Sequence, residues 1–269
     1  MLWEDLLTWF DRYAASFKTG DQELEDAVSL KCNHTKRVII EMQQLCESIS
    51  LDSHRSELAK ITALLHDVAR FEQFKKYRTF SDPRSINHAA AAVDIISSNR
   101  LLSPLDLADA RKVITAIRCH NEAAIPKELA GDDRLLGKLL RDADKLDIYK
   151  VVINHYSKSP TQRDKTVLIS FPDGEDVSPE ICADLLANKT ISYEKIVSAA
   201  DFKIVQLGWV FDLNFPYSFR CFKERYYIGR IKQHLPPTAD VQRIVSHIEA
   251  YLDMKTDATI QEPAVFSRA

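Results

Sequence analysis

A chain of 269 residues is long enough for one large domain, or for a main domain with a smaller lobe, and it can bury a substantial core without disulfides. With 45% hydrophobic residues, 28% charged residues and a net charge of -3, it is an ordinary globular composition that lacks the bulk basicity of a nucleic-acid binder. The 6 glycines and 10 prolines argue against a turn-rich all-β fold, and 5 cysteines without a C-x-x-C pair exclude a disulfide framework or zinc ribbon.

Helical periodicity dominates. Leu2, Trp3, Leu6, Leu7, Phe10, Tyr13 and Phe17 recur at three- and four-residue steps on one face of a first helix, whose other face lacks the Lys/Arg excess of a membrane-surface helix. A second helix is expected over about 24–50, carrying His34. A third is expected from Ser53 to Phe71, with Ile61, Leu64, Leu65 and Val68 inward and His66-Asp67 near its end. Residues 72–84 are basic and aromatic and read as a loop or short helices, and Asp82-Pro83 marks a boundary before the helix of His88. Ser103 and Pro104 read as cap and first turn of a helix reaching about His120. After Pro126 and Gly131 a long helix over 132–156 carries Asp144.

Beyond Pro160 the texture changes. Thr166 to Phe171 is β-branched and apolar, followed by Pro172-Asp173-Gly174, so a short β-hairpin near 165–177 is expected. Helices resume over 179–252, broken near Pro216 and Pro236-Pro237, and the tail from Lys255 has little periodicity. The expected organisation is a helical core over 1–159 and a mostly helical region over 160–269, serving as part of the same domain, a lid or a homo-oligomer surface. The cluster Phe215, Tyr217, Phe219, Phe222, Tyr226 and Tyr227 reads as packing. No apolar stretch is long enough to span a bilayer, and Glu4 and Asp5 stand where a signal peptide carries basic residues. The expected location is therefore cytoplasmic.

The chemistry lies in an ordered set: His34, His66-Asp67, His88, His120 and Asp144. Imidazole and carboxylate together suit borderline transition metals, and a carboxylate can bridge two ions. Six side chains are too many for one ion that must also hold water and substrate, but they suit two ions sharing a bridge. His54, His155, His234 and His247 read as structural.

This order, with the strings LLHDVARFEQF, INHAAAAV, AIRCHN and LLRDADKLDIY, resembles the HD-domain superfamily over about 24–156. More narrowly it resembles the dinuclear branch, which has two added histidines between the His-Asp doublet and the last aspartate. The resemblance implies an all-α HD-domain bundle with a helical C-terminal extension and two divalent transition-metal ions. Fe or Mn is favoured, with Zn, Co, Ni or Mg as alternatives. It implies His34, His66, Asp67 and Asp144 around one ion, with Asp67 bridging to a second held by His88 and His120.

The implied activity is phosphohydrolysis of a small phosphorylated metabolite or nucleotide. A di-iron oxygenase with the same ligands and a non-catalytic HD-fold sensor are the competing readings. Near the ligands in sequence, Arg70, Lys75, Arg78 and Lys145 are candidates to hold substrate phosphate. Asp67, Glu72 and Lys145 are candidates for the chemistry itself. Arg141 and Asp147, three residues either side of Asp144, share its helix face and are expected to orient it.

Overall fold

The computed structural model describes residues 2–159, 171–172 and 176–261. Among them the chain is all-α, with short 3-10 turns and no strand. Most of the hairpin expected near 165–177 falls on 165–170 and 173–175, which lie outside the described residues. The chain forms two compact units, Met1–Ile148 and Tyr149–Ala269.

In the first unit, α1 (Leu2–Ala15) buries Leu6, Phe10 and Ala14, the stripe its periodicity announces. Phe10, Tyr13 and Phe17 meet the Phe71 ring at centroid distances of 5.6 to 5.9 Å, within the range of favourable aromatic contacts. Asp21 caps α2 (Gln22–Ser48) by accepting from Leu24 N, and Asp52 caps α3 (Ser53–Leu65) by accepting from Arg55 N. α2 lies along α3, and Val38, Met42 and Leu45 of one helix and Ile61, Leu64 and Leu65 of the other are essentially inaccessible. Each such side chain contributes about 1.5–3 kcal/mol by burial.

α3 stops at Leu65 and does not continue to Phe71 as expected. Its ladder tightens into turns, with Val68 N–H on Leu65 O and Arg70 N–H on Asp67 O, before α4 (Arg70–Tyr77) begins. The segment read as loop or short helices thus contains α4 and a 3-10 turn over Asp82–Arg84 with Pro83 in its first turn. Asn87 caps α5 (His88–Ser98). The next helix, α6 (Leu107–Cys119), starts later than Ser103-Pro104 predicts: the Asp106 carboxylate accepts Asp109 N–H, while residues 101–105 form turns that bury Leu101 and Leu102. α6 packs on α3 and α5. α7 (Gly131–Tyr156) begins at a glycine with φ +50°, a left-handed entry that a side chain would strain.

The second unit holds α8 (Pro179–Leu186), α9 (Ala199–Gly208), α10 (Pro216–Glu224), α11 (Tyr227–Lys232) and α12 (Ala239–Gln261). Tyr149, Phe222 and Tyr227 form its aromatic centre, with ring centroids 4.7 to 5.5 Å apart. Phe215 and Phe219 are buried as well, whereas Tyr226 is exposed. α12 carries the chain to Gln261, so the tail expected to lose regular structure from Lys255 is helical for its first part. No disulfide joins the cysteines. Among the described residues, no helix is long and apolar enough to cross a membrane.

Candidate metal centre

The six expected ligands come from five places in the first unit. His34 is in the middle of α2 and Asp144 in the middle of α7. His66 is the residue that ends α3, Asp67 follows in the turn, His88 opens α5, and His120 ends α6. His34, His66, Asp67, His88 and His120 are all buried. The His34 Nε2 atom is 3.1 Å from Asp144 Oδ1 and 3.5 Å from Asp67 Oδ2. His66 Nε2 is 3.7 Å from Asp67 Oδ2 and 3.8 Å from Asp144 Oδ1. On the other side of the same carboxylate, His88 Nε2 is 3.4 Å from Asp67 Oδ1 and 2.9 Å from His120 Nε2. The two oxygens of Asp67 therefore face different imidazoles.

Each imidazole is held by its other nitrogen. His34 Nδ1 lies 2.7 Å from Asp147 Oδ2, His66 Nδ1 2.8 Å from Ala63 O, and His120 Nδ1 2.6 Å from Ile117 O, while His88 Nδ1 meets Asp82 Oδ2. Every one of these partners can only accept, so every Nδ1 carries a proton and, in the neutral ring, every Nε2 keeps a lone pair. These lone pairs point at one another and at two carboxylates. His34 Nε2 and His66 Nε2 are buried without a hydrogen-bond partner. The His88 and His120 lone pairs face each other with no proton between them. A cation resolves both problems, and imidazole with carboxylate is the donor set of a transition-metal site. Two groups have ligand atoms mutually within 4.8 Å: His34, His66 and Asp144, and His66, Asp67 and His120.

The electrostatics favour ligation at every group except His34. Burial alone would raise the Asp67 carboxyl, but Lys31 first, with the neighbouring His66, Arg70 and His88, overrides it and holds the group well below the usual carboxylate range. Burial lowers His66 and, with the Arg70 charge, His88. Burial, with the neighbouring His88 and His66, takes His120 down to about 3. Burial and Lys31 also act against a proton on His34, yet the Asp144 and Asp147 carboxylates outweigh them and raise it.

The surrounding residues depart from expectation in instructive ways. Asp147 orients His34, not Asp144, and is itself clasped by Arg37. Arg141 donates to the carbonyls of Cys119, His120, Glu122 and Ala123, closing the C-terminal end of α6 beneath His120. Arg70 donates to Asp67 Oδ1 at 3.2 Å, Gln73 Oε1 at 2.8 Å, Phe80 O at 2.7 Å and Asp82 Oδ1 at 3.0 Å, so its hydrogen bonds go to the protein.

Glu72, Lys75 and Arg78 are exposed and turn elsewhere. Glu72 accepts the Tyr13 hydroxyl, Lys75 lies over the Phe17 ring, and Arg78 pairs with Asp21 at 2.6 Å while forming the left-handed end of α4. Consecutive helical residues point about 100° apart, so Arg70 and Gln73 face the ligands while Glu72 faces α1. Lys145 is half-buried, next to Asp144 in α7.

Sequence reasoning missed Lys31, whose Nζ is 2.7 Å from Asp67 Oδ2, and also Arg37, Asp82, Gln73 and Asn121. Lys31 and Arg37 lie three residues either side of His34, a spacing that could have found them. No comparable spacing links Asp82 to Asp67.

The remaining histidines are outside the cluster: His54 pairs with Asp109 at 2.8 Å, and His247 meets Asn188 at 2.8 Å. The Cys119 thiol, raised first by burial, turns to Ala116 O and acts as a small filler. No curated protein and no solved structure matches the chain. Residues 32–149, which carry all six expected ligands and the two aspartates that hold His34 and His88, match the family model of the HD domain, so this segment, a little under half of the chain, is an HD domain.

Proposed function

We propose that this protein is a phosphohydrolase that uses two divalent transition-metal ions, Fe or Mn in preference, to cleave a phosphate ester or anhydride of a small metabolite or nucleotide. HD domains are generally metal-dependent hydrolases, which gives the reaction class its prior. The observation that carries the two-ion reading is the pair of Asp67 oxygens. Oδ2 faces His34 and His66, and Oδ1 faces His88. In this reading His34, His66, Asp67 and Asp144 hold one ion, and Asp67, His88 and His120 the other. Ions held there would supply Lewis acidity toward a phosphoryl oxygen and acidify a water to a nucleophile near neutral pH.

The chain's own residues do the rest. Acceptors on the four Nδ1 atoms keep the imidazoles in one tautomer, with Nε2 free to ligate. Lys31, held at Asp67 and only 15% exposed, places a positive charge beside the site, and Lys145, half-buried in the residue after Asp144, is the candidate for a second cation. Both would favour the phosphate dianion over a neutral substrate. Arg70 acts by holding Asp67, not by contacting phosphate.

The test is metal analysis of anaerobically purified protein, followed by a phosphate-release screen over nucleotides and sugar phosphates. Two ions per chain and turnover of at least one ester are expected. An oxygen-sensitive visible absorption with no phosphate released would overturn the hydrolase in favour of an oxygen-activating di-iron centre.

A further inference from the structure

Resting on the two-ion reading, we infer that the two halves of the centre are supported separately, and that Asp82 is the positioning residue that sets occupancy of the His88–His120 half. Asp82 is the hub of a closed circuit. Its Oδ2 accepts from His88 Nδ1 and, at 3.0 Å, from Asn121 Nδ2. Its Oδ1 accepts from Arg70 at 3.0 Å and from Gln73 Nε2 at 2.9 Å. Arg70 Nε returns to Asp67 Oδ1, the oxygen that lies 3.4 Å from His88 Nε2. One carboxylate thus fixes the ring of His88 and, through Arg70, the facing oxygen of Asp67.

The circuit is built to be rigid. Gln73 is completely buried; it accepts from Arg70 and also donates to Ser85 Oγ and Ile86 O. Pro83 restricts the backbone of Asp82 before it and anchors the 3-10 turn. Asp82, Arg70, Gln73 and Asn121 make no hydrogen bond to His34 or Asp144. The other half has its own support, Asp147 clasped by Arg37 on His34. The two networks meet at Asp67, and His66 lies beside both His34 and His120. Loss of Asp82 should therefore empty one half and spare the other, turning a dinuclear centre into a mononuclear one.

The experiment is Mn(II) titration of the full chain and its Asp82→Asn variant, read by metal analysis and by the electron paramagnetic resonance of coupled against isolated Mn(II). Wild type is expected to bind two ions. Asp82→Asn should keep one at wild-type affinity and weaken the other about 10- to 100-fold, replacing the coupled spectrum with an isolated one. The ion that stays should be lost on adding Asp144→Ala and not on adding His120→Ala. If Asp82→Asn does not fold, Asn121→Ala removes one donor to the same carboxylate and should weaken the same ion by a smaller factor. Equal weakening of both ions, or none, in the variant that folds overturns the inference while leaving the two-ion reading intact. A wild type that binds a single ion overturns the two-ion reading itself.

Discussion

Asp147 Oδ2 lies 2.7 Å from His34 Nδ1, joining α7 to α2 across 113 residues of sequence. The contact fixes which nitrogen of His34 keeps its proton, and so which one is a ligand. Asp147→Asn can present an amide N–H to the same nitrogen and invert the tautomer. Metal affinity on the His34 side should fall about 10- to 100-fold, measured by competition with a chelating dye. Wild-type affinity in the variant would mean that His34 does not ligate through Nε2.

Asp67→Ala should lose both ions and all turnover, because its two oxygens face the two sets of imidazoles and no neighbouring carboxylate spans them. Retention of bound metal with full phosphate release would contradict the shared-carboxylate arrangement.

Proton release on metal binding follows from the imidazole shifts. His34 lies above the ordinary 6.5, since Asp144 and Asp147 outweigh its burial and Lys31, and it must lose a proton to bind. Burial puts His66, His88 and His120 below that value, so they are already neutral, and Asp67 and Asp144 are already ionised. Near the ordinary histidine pKa, binding should release about one proton, and apparent affinity should fall about tenfold per unit as pH drops. Calorimetry in buffers of different ionisation enthalpy counts the protons; none, or three, would refute the assignment.

The start of α6 can be tested on stability alone. Asp106→Ala removes the carboxylate that accepts Asp109 N–H and should cost about 1 kcal/mol in urea unfolding. Ser103→Ala should change stability by less than about 0.5 kcal/mol, because Ser103 lies in the preceding turns. The reverse order of effects would place the cap at Ser103.

Glu72→Gln should leave phosphate release within about twofold of wild type, since the carboxylate is exposed and bonded to Tyr13 on α1. A loss of a hundredfold or more, the range of general acid–base catalysis, would restore Glu72 to the chemistry.

Much of the molecule was legible as a string. The three- and four-residue spacing in 2–17, Asn87 before His88 and the long run after Gly131 announce α1, α5 and α7, because helix geometry converts sequence spacing directly into faces and ends. The six candidate ligands were legible because their order matches a pattern. The break after Leu65 was not: LLHDVARF contains no glycine or proline, and nothing local stops the helix. Nor did the string show that Asp82 serves His88 and reaches Asp67 through Arg70, or that Asp147 serves His34 and not its helix neighbour Asp144.

The sequence by itself determined most of the helices and singled out six candidate ligands, since periodicity and side-chain type are local properties. Only the tertiary structure decided which nitrogen of each imidazole is left free to ligate and which cations stand by. Those choices depend on hydrogen bonds between residues far apart in the chain, and such bonds form only where packing brings a donor within about 3 Å of its acceptor.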